Sequence, residues 1–154
     1  MPSLDSQVIE VLGRNQLAEE LLRAGLEVAR PVRDRGVDLI VYADLESKVD
    51  AFVARPIQMK AASRRSFGIN LKYAKFPNLL IAHVWHLAVP EEVVTFALSY
   101  PEAYAVADQM GWTKTESWKK GNYVNTNPGA KLRDLLEPYR MTPDRWWSRI
   151  TTGT

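Results

Sequence analysis

Asp38, Gln58 and Lys60 are the residues whose types and spacing best suit chemistry on a phosphodiester. Hydrolysis of that bond uses a divalent cation that lowers the pKa of a water and stabilises charge on the phosphoryl oxygens. Oxygen atoms are its natural ligands, and Mg²⁺ takes only one or two protein carboxylates. Asp38 would bind the cation, the amide oxygen of Gln58 would be a neutral second ligand, and Lys60 would orient the attacking water or offset charge on the phosphate.

A glutamate from a helix would complete this ligand set. Apolar residues within 7–24 recur at spacings of three and four, which predicts a helix, and Gly25 suits its end because glycine adopts the left-handed conformation without penalty. Glu19 and Glu20 are the two candidate ligands from this helix.

Two neighbouring strands must bring the other three residues together. The segments 37–42 and 51–61 are predicted strands, since both contain β-branched and aromatic residues. Asp38 lies at the start of the first, and Gln58 and Lys60, two residues apart, share a face of the second. Other elements expected are strands at 26–31 and 79–87, helices at 90–98, 101–110, 129–138 and 143–150, and a hairpin within 112–124. The basic segment 62–78 is expected to be a loop, with a helix at 71–75 as an alternative for part of it.

The segments GLEVARPVRDRGVDLIVY and RPIQMKAA resemble the PD-(D/E)XK nuclease superfamily, in the branch of archaeal Holliday-junction resolvases and modification-dependent restriction enzymes. That family has a helical glutamate, a turn with glycine, an aspartate opening a strand, and an acidic residue, any residue and lysine on the next strand. Asp38 and Lys60 fit this pattern. The chain departs from it at Gln58, where the family usually has Glu or Asp, and at Gln16, where resolvase-like members tend to have the glutamate.

The resemblance implies an α/β fold with a restriction-endonuclease-like core, in which helices flank a central mixed β-sheet. It covers about half of the chain and places the nuclease-like core at about 7–89, followed by a mainly helical C-terminal extension at about 90–154. It also implies a DNA endonuclease dependent on Mg²⁺ or Mn²⁺, with Asp38, Gln58 and Glu19 as metal ligands and Lys60 as the fourth catalytic residue. One domain, 1–154, is expected, because the chain shows no linker or repeat.

The distribution of charge suggests where a nucleic acid would bind. The net charge is only +2, yet residues 51–90 contain no Asp or Glu. The basic side chains proposed to contact phosphates are Arg55, Arg64, Arg65, Lys72 and Lys75. A basic surface of this kind attracts a polyanion. The alternative is that these charges only solvate a strand-rich segment.

Composition narrows the chemistry and the compartment. The chain has no cysteine, so disulfides, thiolate metal sites and cysteine nucleophiles are excluded. The first ten residues lack the basic start and long apolar stretch of a signal peptide, and the most apolar run, 79–89, is too short to span a membrane. A cytoplasmic protein is expected.

Histidine and tryptophan each allow a structural and a functional interpretation. His83 and His86 lie three apart on a predicted strand, hence on opposite faces, which favours packing over a shared ion. Aromatic residues beside basic groups in the C-terminal third either stack on nucleic-acid bases or, as favoured, pack between the sheet and the terminal helices. These aromatic residues are Trp112, Trp118, Tyr123, Trp146 and Trp147.

Two rival functions remain beside the endonuclease. Gln58 and Gln16 motivate a nuclease-fold protein that binds nucleic acid without cutting it. The terminal aromatic residues motivate a partner-binding subunit of a defence or mobile-element system. DNA is the expected partner of the endonuclease, a homodimer would provide the two sites needed to cut both strands, and an accessory protein is a further candidate partner.

Overall fold

A computed structural model of the chain describes residues 3–46 and 48–153, and it has the expected α/β architecture with a mixed sheet flanked by helices. The two ends of the expected domain, residues 1–2 and 154, lie outside the described part. The helices are α1 (Ser6–Arg23), α2 (Tyr100–Gln109), α3 (Glu116–Lys119), α4 (Ala130–Leu136) and α5 (Pro143–Thr151). The strands are β1 (Glu27–Ala29), β2 (Leu39–Tyr42), β3 (Ala54–Ala61), β4 (Phe67–Asn70), β5 (Leu80–Trp85), β6 (Val94–Leu98) and β7 (Asn122–Asn125). Single 3₁₀ turns follow at Leu71–Tyr73, Pro90–Glu92, Trp112–Lys114 and Glu137–Tyr139.

The main sheet has the order β1-β2-β3-β5-β6, and β4 pairs with β7 in a separate two-stranded sheet. All neighbours in the main sheet are antiparallel except β3 and β5, which are parallel. Parallel neighbours need a crossover connection, and residues 62–79 provide it. Pro56 lacks an amide hydrogen, and it lies just before the pairing of β3 with β5 begins at Ile57.

The first helix begins and ends as the sequence predicts. The Asp5 side chain caps it by accepting a hydrogen bond from the Val8 amide at 2.9 Å. Gly25 follows its last turn with a φ of 87°, a conformation that favours glycine. Its buried residues are Ile9, Gly13, Leu17 and Leu21.

Apolar residues on the two faces of the sheet form two separate clusters. The first joins α1 and α5 to the strands and contains Leu17, Ile57 and Trp146. The second joins α2 and α4 to the two-stranded sheet and contains Phe67 and Phe96. Alternation along the strands distributes side chains between the clusters, so neighbouring residues of β6 such as Phe96 and Ala97 belong to different ones.

The helix predicted at 90–98 is wrong. Pro90, Glu91 and Glu92 form only a 3₁₀ turn, and Val94–Leu98 is the strand β6, paired with β5. Pro90 and the two glutamates resemble a helix N-terminus, but the β-branched and aromatic residues that follow them favour a strand, and pairing at the edge of the sheet buries them. Because β6 belongs to the main sheet and Trp146 packs with α1, the mainly helical C-terminal segment also contributes to the sheet and to the cores.

Two shorter predictions also needed correction. The basic loop expected at 62–78 contains β4, and the hairpin expected within 112–124 is instead a 3₁₀ turn, the short helix α3 and β7. The partner of β7 is β4, more than fifty residues earlier, so local turn chemistry does not reveal the pairing. The strands at 26–31, 37–42, 51–61 and 79–87 and the helices at 101–110, 129–138 and 143–150 are confirmed, with shorter strands than expected.

The aromatic residues of the C-terminal third mainly pack, as favoured. Trp112 and Trp146 are buried in the two clusters, and Trp118 and Trp147 are partly buried against them. His83 is buried in β5, whereas His86 follows that strand with a φ of 63°. None of the helices within the described ranges has both the length and the apolar character needed to cross a membrane.

Candidate metal-binding cleft

Asp38 is held at the start of β2 by the backbone of β3. Its amide donates to the Ile57 carbonyl at 2.9 Å, and its carboxylate accepts from the Met59 amide at 2.8 Å. Only 8% of Asp38 is exposed. The neighbouring antiparallel strand therefore holds this carboxylate in place.

Gln58 and Lys60 lie beside Asp38, as the alternation along β3 predicts. All three line one surface cleft of about 340 Å³. The side-chain oxygen of Gln58 is buried and has no hydrogen-bond partner among the described residues. Unsatisfied buried oxygens are uncommon, so this atom is a candidate ligand for a cation.

The glutamate that joins Asp38 is Glu10, in the first half of α1. One carboxylate oxygen each from Glu10, Asp34 and Asp38 lies within 4.8 Å of the others. Arg14, one turn further along α1, bonds to Glu10 at 2.9 Å. Asp34, in the loop before β2, also lines the cleft.

Glu19 and Glu20 are placed elsewhere. Glu19 pairs with Arg23 on the exposed face of α1 and lines a different surface depression. Glu20 accepts a hydrogen bond from the Thr95 hydroxyl at 2.9 Å and from Gln16 at 3.4 Å, which ties α1 to β6. Neither is among the residues that line the Asp38 cleft.

The periodicity of α1 contains the signal that identifies Glu10. Seven residues are close to two turns of an α-helix, so Glu10 and the buried Leu17 project in similar directions. Glu19, two residues after Leu17, projects to the opposite side.

Burial raises the pKa of Asp38, and the negative charges of Asp34 and Glu10 raise it further. The Met59 hydrogen bond and the charge of Arg14 act in the opposite direction. Three carboxylates this close repel one another, and Lys60 is the only cationic side chain that lines the cleft among the described residues. Carboxylate oxygens plus an unpaired amide oxygen match the ligands of Mg²⁺ or Mn²⁺, so the donor set fits a divalent cation.

The five basic residues proposed to contact phosphates occupy different environments. Arg55 is half-buried and donates to the carbonyls of Asn78 at 3.2 Å and Arg149 at 3.1 Å, and burial lowers its pKa. Arg64 is exposed and Arg65 half-buried in the turn between β3 and β4. Lys72 and Lys75 are exposed and line a groove of about 820 Å³.

Tyr73 connects this groove to the region of the cleft. It lines the groove with Lys72 and Lys75, and its ring lies 5.9 Å from the Lys60 ammonium. The chain is thus an α/β protein with an acidic cleft and a nearby basic groove. Comparison with protein-family models, with curated proteins and with solved structures finds no match to this chain.

Proposed function

We propose that the protein is a divalent-metal-dependent endonuclease that hydrolyses DNA phosphodiester bonds, and that it is a variant of the PD-(D/E)XK nucleases. The observation that carries the proposal is the meeting of Glu10, Asp38, Gln58 and Lys60 in one cleft, although they come from a helix and two strands. Their order along the chain is the order of the family pattern, with Gln58 in the place of an acidic residue.

Asp38, Glu10 and Gln58 would hold Mg²⁺ or Mn²⁺, and Asp34 would add a carboxylate at the rim. When bound, the cation supplies Lewis acidity that activates a water and stabilises negative charge on phosphoryl oxygens. Glu10 thereby takes the role that the sequence interpretation gave to Glu19. Gln58 contributes an oxygen without a charge, so the site depends more strongly on Asp38 and Glu10 for its negative potential.

Lys60 is the cationic member of the site. Its position on β3, two residues after Gln58, places it on the same side of the strand. A lysine there offsets the charge of the scissile phosphate and orients the attacking water by donating a hydrogen bond. Lys60 lacks any ion pair among the described residues, so its ammonium is available for a phosphate.

The basic groove would hold the DNA backbone leading to the cleft. Lys72 and Lys75 are exposed at this groove, together with Arg35. Arg64 and Arg65 lie in the turn that follows β3, close in sequence to Lys60. Phosphate contacts of this type position the backbone without reading its sequence.

The test is a cleavage assay with linear, supercoiled, single-stranded and branched DNA in Mg²⁺ or Mn²⁺. Lys60→Ala is expected to slow cleavage by about a hundredfold or more while DNA affinity changes little, because the lysine stabilises charge that develops during the reaction. Glu19→Gln is the matched control, since Glu19 lies on α1 outside the cleft, and it should cleave at the wild-type rate. Equal rates for wild type and Lys60→Ala would contradict the assigned role.

Gln58 supports one alternative, a protein that binds nucleic acid without cutting it. A neutral ligand weakens the hold on a divalent cation compared with the usual carboxylate. In that case DNA affinity would depend on salt but survive chelation of all divalent ions, and no substrate would be cleaved. Gln58→Glu separates the two functions, because it should restore or increase metal-dependent cleavage only where the rest of the site is competent.

A further inference from the structure

A second cavity adjoins the acidic cleft and shares two lining residues with it, Lys60 and Ser66. Its volume is about 160 Å³. The walls come from β3, β5, α2 and the two-stranded sheet formed by β4 and β7. Because Lys60 lines both spaces, a molecule in the cavity would lie directly beside whatever occupies the cleft.

His83 provides a buried and unsatisfied polar group in the wall of this cavity. It is 3% exposed, and its Nδ1 has no hydrogen-bond partner among the described residues. Burial and the charge of Lys60 lower the pKa of His83 to about 3, so the ring is neutral at physiological pH. A neutral imidazole has one N–H donor and one acceptor nitrogen, which allows it to pair with a polar heterocycle.

The remaining walls suit a flat ring with polar edges. Ile69, Ile81 and Ala103 provide apolar surface. Asn122 adds an amide, and the tyrosine side chains of Tyr73 and Tyr100 add aromatic rings with hydroxyl groups. Apolar walls with a few polar groups are typical of small-molecule sites, in which the polar groups fix the orientation of the ligand.

The volume of the cavity limits the size of that ring. An engineered apolar cavity of about 150 Å³ in another protein accepts benzene, so a space of this size holds one six-membered ring. A two-ring purine is larger than this space and would protrude through the opening of the cavity. Of the nucleobases, the pyrimidines therefore match both the volume and the polar groups.

We propose that the cavity accepts an unpaired pyrimidine base of the nucleic-acid strand whose phosphate lies at Lys60 in the cleft. The identity of the strand rests on the proposed function, whereas binding of the base does not require cleavage. A paired base is stacked in the duplex and reaches such a cavity only after extrusion from the helix. The cavity thus selects phosphodiesters next to an unpaired or mismatched pyrimidine over those in a continuous duplex.

Binding is tested without cleavage, in EDTA, by NMR titration of the full chain. The probes are the 5′-monophosphates of deoxycytidine and thymidine, with deoxyadenosine 5′-monophosphate and 2-deoxyribose 5-phosphate as controls. We expect the pyrimidine nucleotides to shift the resonances of His83 and Tyr100, and the two controls to bind at least about tenfold more weakly. Equal binding of the sugar phosphate, or of the purine nucleotide, would overturn the proposal.

Two variants test the location of the base. Val124 lines the cavity but is 53% exposed, so Val124→Trp should obstruct the cavity without disturbing either core. Leu22→Trp is the matched control, because Leu22 is 54% exposed on α1 and lines a separate depression. His83→Phe keeps a ring of similar shape and removes the polar nitrogens. Val124→Trp and His83→Phe should weaken pyrimidine binding by roughly tenfold, and unchanged binding in both would refute the assignment.

Cleavage assays distinguish this proposal from the proposed function. If wild type cleaves single-stranded or mismatched DNA faster than matched duplex, and Val124→Trp removes that preference but not the cleavage of duplex, both proposals stand. If no DNA is cleaved but pyrimidine nucleotides bind at His83, the nuclease proposal fails and the cavity remains a base-binding site. Cleavage that is equally fast on duplex and mismatched DNA in wild type would contradict the selectivity while leaving the nuclease proposal intact.

Discussion

Asp38 is positioned by two backbone contacts, while its burial makes ionisation of the carboxylate costly. The hydrogen bond from the Met59 amide holds the Asp38 carboxylate close to the carboxylates of Glu10 and Asp34. Burial raises the pKa of Asp38 because a charge in the protein interior is less well solvated than in water. A bound divalent cation would reverse that cost, so affinity for the metal and ionisation of Asp38 should be linked.

We predict that Asp38→Asn removes the unfavourable free energy of ionising a buried carboxylate, which destabilises the wild type in the absence of metal. Because the pKa of Asp38 is raised on folding, the free energy of unfolding falls as the pH rises from the ordinary aspartate pKa through the raised value. Asparagine carries no charge and still accepts a hydrogen bond from the Met59 amide. In EDTA near neutral pH, the Tm of Asp38→Asn should therefore equal or exceed that of wild type.

Magnesium provides the second half of this measurement. It should raise the Tm of wild type as its concentration increases and leave that of Asp38→Asn unchanged, because a ligand of the folded state alone stabilises it. Thermal unfolding monitored by circular dichroism measures both effects. An equal Mg²⁺-dependent increase in the two proteins would place the cation elsewhere.

Arg55 and the lysines of the groove should respond differently to alanine substitution. Arg55 joins β3 to Asn78 and to α5 through two backbone carbonyls, so Arg55→Ala should lower the free energy of unfolding by about 1–3 kcal/mol. Lys72 and Lys75 are exposed, and replacing both should leave the Tm within error. The double lysine variant should instead weaken DNA binding and reduce its salt dependence. Chemical denaturation and binding at several salt concentrations separate the two classes.

Helix α1 packs tightly against β3 at Gly13, about one turn after Glu10. A Cβ at this position would lie 2.8 Å from the Ala61 Cβ and 3.1 Å from the Met59 sulfur. The absence of a side chain therefore lets the helix lie against the strand that carries Gln58 and Lys60. The separation between Glu10 and β3 depends on this contact.

We expect Gly13→Ala to destabilise the protein although alanine is the better helix former. Helix propensity favours alanine by up to about 1 kcal/mol, but overpacking against Ala61 costs about 1–3 kcal/mol and displaces α1. Metal-dependent cleavage should fall as well, since Glu10 moves with the helix. Asn15→Ala, on the exposed face of α1, is the control and should raise the Tm slightly. If the Gly13→Ala protein is as stable and active as wild type, α1 can move away from β3 without affecting the cleft, which would contradict this prediction.

Elements whose own residues carry a clear pattern can be predicted from the sequence, whereas elements that depend on distant partners cannot. The apolar period of α1 and the β-branched runs of β2, β3 and β5 are sufficient to identify those elements, and alternation correctly puts Gln58 and Lys60 on one face. The strand β6 was missed because Pro90 and two glutamates imitate a helix start, whereas the decisive influence is pairing with β5.

The candidate site likewise contains residues that the sequence predicts and residues that only the tertiary structure brings together. Asp38 immediately precedes β2, and Gln58 and Lys60 lie on β3, so the predicted adjacency of these strands brings the three residues to one cleft. Glu10 and Asp34 join them through the docking of α1 and the path of the loop before β2, both of which are tertiary. The direction of the Glu10 side chain relative to Leu17 is enough to identify Glu10 as a site residue from the sequence. For Asp34, only the folded loop reveals that its carboxylate lies close to Asp38.

Across the whole molecule, the C-terminal helix completes the core that supports the cleft. Trp146 and Ile150 of α5 are each 1% exposed and pack in the same cluster as Ile9 and Leu17 of α1. Arg149 forms an ion pair with Glu102, which joins α5 to α2. The last helix therefore contacts elements on which both the cleft and the second core depend.

We predict that Trp146→Ala lowers the free energy of unfolding by about 3–5 kcal/mol, because it leaves a large cavity in the core. The adjacent Trp147 is only partly buried, so Trp147→Ala provides a matched control with a smaller loss. A fragment ending at residue 89 should fail to fold, since it lacks β6 and α5. Cooperative urea unfolding of that fragment would contradict this view of the molecule.

The pairing of β4 with β7 has a consequence for synthesis of the chain. When Asn70 has been added by the ribosome, residues 71–125 must still follow before β4 has its complete partner. At about 5–20 residues per second this takes roughly 3–11 seconds. During that interval the backbone groups of β4 are open to pairing with other nascent chains, so the strand that forms a wall of the cavity beside Lys60 is exposed to misassembly during translation.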